Sequence, residues 1–519
     1  MSGDWSPGEV WLAEGLSADL DLDCDVCVVG SGAGGAVLAA GLAEAGARVL
    51  LMEEGPRYSR VGWDGDEARA YRDLYQDQGL RKTDDGSILI LQGRNVGGST
   101  TVNWTTCFRT PARILQHWER VHGIEGLDEA TLAPHFEAVE ARLNIHRWSE
   151  APPNPNNQVI LDGAAKLGWD AAITSRNVRR CANSGYCGIG CPVDAKQGMH
   201  LTYLADAQAA GMGLLVGARA EVIAHAGGVA SEVRAAALDP VTRAPTGVKI
   251  RVSAGVVVVA GGAINSPALL LRSGVNPGGR VGRRTMLHPV VAAIARFDRP
   301  IHGYFGAPQS AACHQHVDRG PDRVGFFIET SPMQPMLASL PTAYIGAAHA
   351  ELMTNLPYLS SVIALSVDGL VPGDEGGTTS LRADGSPKVV YPMGAALVES
   401  FRASHQAIVK LAFAAGAVMV GTTHAREDVM LGSPDDLGRL DALRYGPHEH
   451  GVFSAHVMGG CAMGGDPATS VVGADHRVRG FQNLFVVDGS MLPTSLGVNP
   501  SETIYGLAHR ARATVGEAL

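Results

Sequence analysis

Four short apolar runs punctuate the chain, each closed by glycine or an acid. Residues 25–29 and 48–52 are runs rich in β-branched side chains, and an Ala-rich helical stretch, 36–45, lies between them. Strand, helix and strand at this spacing predict a parallel pair joined by a crossover helix. The third run, 256–259, enters Ala260-Gly261-Gly262 and then Ser266-Pro267, where the serine reads as an N-cap and the proline as the first helical residue. The fourth, 484–487, ends at Asp488. A nucleotide-binding unit assembled from segments far apart in sequence follows from this pattern.

Between the runs the texture changes. Residues 151–157, Ala-Pro-Pro-Asn-Pro-Asn-Asn, read as a loop, and 368–387 is rich in Gly and Asp. Within the latter, 378–381 and 388–391 flank Asp384-Gly385 and predict a hairpin with a longer loop. The expected fold class is α/β: a Rossmann-like domain built from discontinuous segments (1–150, 200–290 and 450–519) beside an α+β domain on an antiparallel sheet (291–449). A Cys- and Gly-rich segment, 151–199, connects them.

Composition narrows the function. At 519 residues the chain exceeds one ordinary hydrophobic core, and 45% hydrophobic residues exclude disorder. Its 65 glycines follow no three-residue period, so they mark tight turns and close backbone approaches. A formal net charge of −10 with no basic block argues against nucleic acid or anionic membranes as partners. No Lys or Arg precedes Arg48, while Asp4, Glu9, Glu14 and Asp19 do, so the basic start of a secretory signal is missing. No apolar run is long enough to span a bilayer, and a cytoplasmic protein is expected. The sequence leaves the oligomeric state open.

Gly30-Ser-Gly32-Ala-Gly34-Gly35 follows the first strand and opens the helix, with Glu53 and Glu54 closing the next strand. Gly30 suits a tight turn, Gly32 close approach to a pyrophosphate, and Gly35 close helix packing, while Glu53 is placed to accept from ribose hydroxyls. This fingerprint predicts a dinucleotide without separating FAD from NAD. Gly93-Arg94-Asn95-Val96-Gly97-Gly98-Ser99-Thr100-Thr101-Val102-Asn103 is a second glycine loop, able to lie against a flat ring or a phosphate. Asn499-Pro500-Ser501-Glu502 has the residue types of a capping box. Cys181, Cys187 and Cys191 fall short of a closed four-ligand zinc site, and their spacings miss the usual knuckle, so no metal is assigned. The other five cysteines read as buried thiols.

Residues 93–103 together with Gly262-Ala-Ile-Asn-Ser-Pro267-Ala-Leu-Leu-Leu-Arg-Ser-Gly274-Val275 resemble the two signatures of the glucose-methanol-choline (GMC) oxidoreductase family, FAD enzymes that mostly oxidise alcohols. The departure is Asn276 in place of a glycine. The Cys-rich segment is similar to a loop of the long chain alcohol oxidase-like members, and is expected to be structural, near the substrate entrance. The resemblance implies that Gly30, Gly32, Gly35, Glu53, Arg94, Gly97, Gly98, Ser99, Asn103, Val222 (through its backbone), Asp488, Gly489 and Ser501 contact FAD. Some members attach the flavin through a histidine after the paired glycines; Val102 and Asn103 stand there, so FAD is expected to be non-covalent.

Alcohol oxidation needs a group titrating near neutrality at the hydroxyl. His456, in His-x-x-Gly-x-Cys-x-Met, matches the family's catalytic histidine, and Asn499 its substrate-facing partner. His288 and His509 read as structural. Phe327, Glu329, Met333 and Met336 are candidate pocket residues favouring an apolar or partly apolar alcohol, with O2 or another carrier as electron acceptor. Alternatives on the same scaffold are oxidation of a sugar or amino-sugar alcohol, a lyase that keeps FAD structurally, and a non-catalytic FAD-bound partner protein.

Overall fold

The N-terminal strand, Leu20–Val29, is the centre of the first of two large sheets in the computed structural model, which describes residues 2–3, 5–60, 63–339, 345–425 and 429–519. It pairs in parallel with Val49–Glu53 on one side and Pro245–Val259 on the other, and Leu484–Val486 runs parallel to Pro245–Val259. The crossover helix Ala33–Glu44 and the C-terminal helix Ser501–Gly516 pack on one another over this sheet. Val26, Val28, Leu51, Val256, Val258 and Phe485 point into that helical layer and are buried. The near-continuous apolar strands predicted this, because a parallel sheet covered on both faces has no polar side. An antiparallel extension, Ala218–Ala226 and Val229–Leu238, continues the sheet beyond Pro245–Val259.

The second large sheet is mostly antiparallel and centres on Val290–Arg296, Leu359–Ser366 and Phe326–Thr330. The helices Ala395–Ala414 and Pro155–Leu167 cover its far face. It recruits strands beyond residues 291–449: Ala171–Ile173 pairs with Ala311–Cys313, and Val452–Ser454 joins Ile88–Ile90 to Val290. The hairpin Gly377–Leu381 with Pro387–Val390 forms as expected, Thr378 opposite Val390.

Two local readings are corrected. Residues 155–157 are helical rather than loop: Asn154 caps the helix by accepting from Asn157 N, and Pro155 is its first residue. Ser266 is no N-cap, since the helix Asn265–Arg272 starts before it and its hydroxyl donates to Asp488 at 2.5 Å instead.

Candidate active site

A cavity of about 1140 Å³ runs between the two sheets. That is at or above the upper end of ordinary ligand pockets, about 300–1,000 Å³, and suits a long ligand with a second one at its end. Gly30 turns with φ +110°, and a Cβ there would stand 2.3 Å from the carbonyl oxygen of Ala260. At Gly34 a Cβ would lie 1.9 Å from Val487 O, and at Gly35 2.0 Å from Gly30 O, so the helix sits closer to the sheet than any side chain permits. Gly32 has open space where its Cβ would be, on the cavity wall. Across from it, a Cβ on Gly98, φ +56°, would come within 2.9 Å of Gly32 Cα. Bare backbone therefore lines both sides of this stretch.

Ser31 couples the two glycine loops, a role that no local pattern announces. Its hydroxyl donates to Glu53 Oε2 at 2.5 Å and accepts from Gly97 N at 2.9 Å. Glu53 is buried, and burial raises its carboxyl from the ordinary range. Arg94 pairs with Glu54 at 2.8 Å along the same wall. Val222 follows a register shift in Ala218–Ala226 and also lines the cavity, as do Ser99, Asn103, Gly489 and Ser501. Asp488 accepts from Gly262 N at 2.7 Å and from Ser490 N at 2.8 Å, tying two strand ends together at the wall. The predicted cofactor residues thus converge, except that Gly35 acts through packing and Gly97 through its bond to Ser31.

At the other end stand His456 and Asn499. Asn499 Nδ2 lies 3.2 Å from His456 Nε2 and donates to Glu329 Oε2 at 3.4 Å, while its Oδ1, buried, has no protein partner. Asn499 is therefore not a helix cap. Pro500 occupies the N-cap position with no side-chain bond, and the first intrahelical bond runs from Ile504 N to Pro500 O. The N–H groups of Ser501 and Glu502 remain at the open, positive end of the helix. The Glu502 carboxyl does not return to that end; it meets Glu140, and burial together with that neighbour pushes it well above the usual carboxylate range.

Burial holds His456 down to about 4, and pushes Glu329 up to about 8 against the lowering effect of its bonds from Asn499 and Gln309. Gln309 Nε2 donates to Glu329 at 2.9 Å and its Oε1 accepts from Thr106 at 2.8 Å. Gln309 lines the cavity and was not foreseen. Behind His456, His288 Nδ1 lies 3.1 Å from His456 Nδ1. His288 had read as structural, and a histidine before proline carries no spacing that links it to a residue 168 positions away.

The pocket candidates are only partly brought together. Val290, Ile363, Leu365, Phe453 and Trp104 form the apolar wall beside His456. Phe327 pairs with Leu365 in the sheet and lies behind that wall, and Glu329 sits behind Asn499 and Gln309. Met333 packs in a separate cluster with Ile294, Leu356 and Leu359, and Met336 is exposed and off the cavity, because the chain leaves the sheet after Thr330. Cys181, Cys187 and Cys191 are free thiols around a small void with Lys196, whose buried ammonium binds the carbonyls of Thr101, Asn103 and Cys187. That lysine fastens the second glycine loop to the Cys-rich one, whose Gly188 lies against Trp104.

Comparison with known proteins decides the family. The GMC oxidoreductase models match residues 71–290 and 384–508, and an NAD(P)-binding Rossmann-like model matches 28–62. A GMC-type oxidoreductase of Mycobacterium tuberculosis is 34% identical across 93% of this chain and 74% of its own length. The chain belongs to the GMC oxidoreductase family. A long-chain-alcohol oxidase of Arabidopsis thaliana, FAO4A, is 28% identical across 94% of this chain and 68% of its own. Among solved structures, pyridoxine 4-oxidase from Mesorbium loti superposes with a TM-score of 0.70 at 19% identity, covering 94% of this chain and 98% of that one. This GMC oxidoreductase is thus an oxidoreductase-family enzyme with a Rossmann-like α/β fold, and among the described residues no helix is long and apolar enough to cross a membrane.

Membership implies FAD, and the cavity fits it. Bare backbone at Gly30, Gly32 and Gly98 leaves a channel that any Cβ would narrow, and its wall also carries the Glu53 carboxyl and Ser501, the first residue of the C-terminal helix. These are the donors and acceptor that a pyrophosphate, a ribose and an electron-rich ring require.

Proposed function

We propose that this chain oxidises an alcohol to an aldehyde or ketone with non-covalently held FAD, His456 taking the hydroxyl proton. One observation supports this most: His456 and Asn499 line the same cavity as Glu53, with Nε2 and Nδ2 3.2 Å apart and the Asn499 Oδ1 left without a protein partner. FAD, when bound, supplies the hydride acceptor. His456 Nε2 receives the proton as the hydride leaves the carbon, and Asn499 orients the oxygen beside it. Gly30, Gly32, Glu53, Val222 and Asp488 hold the dinucleotide, and Ser501 with Glu502 offers N–H groups to developing negative charge. Val102 and Asn103 give the flavin no side chain for covalent attachment at that loop.

The wall of Val290, Ile363, Leu365, Phe453 and Trp104 suits an apolar alcohol, in keeping with the name of the Arabidopsis relative. Electrons then pass to O2 or another small acceptor. His456→Ala should keep its flavin and lose flavin reduction by substrate by about two orders of magnitude or more, the usual scale of acid-base catalysis. Stopped-flow reduction of the anaerobic protein measures this, and an unchanged rate in the variant would refute the assignment.

A further inference from the structure

We propose that His288 is a positioning residue for the reaction, holding His456 in the tautomer that leaves Nε2 unprotonated and accepting the Nδ1 hydrogen bond when His456 becomes charged. This rests on the reading of His456 as the base. The Asn499 amide nitrogen lies 3.2 Å from His456 Nε2; an amide N–H can only donate, so with the amide in this orientation Nε2 carries the lone pair. A neutral His456 then keeps its proton on Nδ1, where the neighbour at 3.1 Å is His288 Nδ1. That bond has one proton and two nitrogens, so on this assignment His288 accepts and carries its own proton on Nε2, which is buried without a protein partner.

The placement of His288 is built rather than incidental. Its φ is +48°, a region that costs an ordinary side chain energy. Asp368, buried, holds it there: Oδ1 accepts from His288 N at 3.0 Å and from Ser495 Oγ, and Oδ2 accepts from Leu287 N at 3.0 Å and Tyr391 Oη at 2.5 Å. The His288 ring is fully buried, tilted against Phe327 at 5.2 Å and against His456 at 5.3 Å. The charged groups that bear on it are His456 and Arg113, both of which, like burial, disfavour a charge on His288 itself. A neutral acceptor is what remains.

The consequence is specific to proton transfer. In a serine protease triad a carboxylate stands behind the histidine and fixes its tautomer. Here a neutral imidazole does so, stabilising the cation on His456 less strongly than an anion would. The substrate proton arrives at Nε2, the original proton stays on Nδ1 within the bond to His288, and no proton leaves the pair during the step.

His288→Gly and His288→Asn separate this role from folding, since both residues accept positive φ but only asparagine offers an acceptor. The measurement is the pH dependence of anaerobic flavin reduction, with melting temperature and flavin content as controls. In His288→Gly the limiting rate should fall about ten- to a hundredfold, the scale of a lost hydrogen bond to a charged group, and the apparent pKa of the base should move down. His288→Asn should recover most of both. Equal losses in the two variants with an unmoved pH profile would mean a structural role only, and unchanged rates in both would mean none; either overturns the proposal. His456→Ala reducing flavin as the wild type does would instead remove the base assignment on which it rests.

Discussion

On the proposed reading, the His456 nitrogen that takes the substrate proton is Nε2, 3.2 Å from Asn499 Nδ2, and the one that keeps its own is Nδ1, 3.1 Å from His288 Nδ1. Side-chain direction decides this, and direction is what the sequence does not carry. Asn499-Pro500-Ser501-Glu502 has every residue type of a capping box, yet the sheet brings Glu329 and His456 to the amide and draws it off the helix. Glu329 itself makes a testable case. Its folded-state pKa is raised to about 8 from an unfolded value of about 4.3, so between those limits only the folded state keeps the proton. Stability present at low pH is therefore lost as pH rises through that window, at up to about 1.4 kcal/mol per pH unit. Glu329→Gln removes the titration. The melting temperature of the variant should gain on the wild type as pH rises from about 4.3 to 8, and a constant difference across that range would contradict it.

The crossover unit was legible in the sequence because its strands are buried on both faces and its glycines have one physical reading each. Gly34 tests that reading at the scale of the element. A Cβ there would overlap Val487 O at 1.9 Å, so Gly34→Ala must push Ala33–Glu44 away from the strand end that carries Asp488. Purified Gly34→Ala should lose most of its flavin, measured as the visible flavin band per protein; full retention would be inconsistent with the close packing. Less legible were elements whose partners are remote. Pro155–Leu167 begins within a stretch that composition marks as loop, because Asn and Pro serve loops and helix starts alike. Lys196 joins the glycine loop at Thr101 and Asn103 to the Cys-rich loop at Cys187, and no local pattern announces it. Lys196→Met leaves those carbonyls without their donor, which should cost about 2–4 kcal/mol in chemical unfolding and reduce flavin retention.

Across the whole molecule, several buried histidines are held neutral by burial. His424, His450 and His456 are lowered to about 4 and His476 to about 3, from an ordinary 6.5. The unfolded chain binds protons at these sites before the folded one does, so the stability they contribute is complete above about pH 6.5 and is lost as pH falls toward 4. Melting temperatures across that range should drop steeply on the acid side; a flat profile would mean these rings are solvated.

The division of labour between the two sheets is the feature on which the functional reading depends. One sheet carries the glycine-lined channel, and the other supplies Ile363 and Leu365 to the wall that His456 shares. The sequence placed the first half through its glycines, whereas the apolar wall comes from strands with no motif. The most direct test of alcohol oxidation is anaerobic mixing of the flavin-loaded protein with a panel of aliphatic, aromatic, sterol and sugar alcohols, followed in the visible band. An apolar alcohol should bleach the flavin, with one equivalent of aldehyde or ketone formed per flavin. A band that no alcohol bleaches, in protein that retains its flavin, would contradict the account.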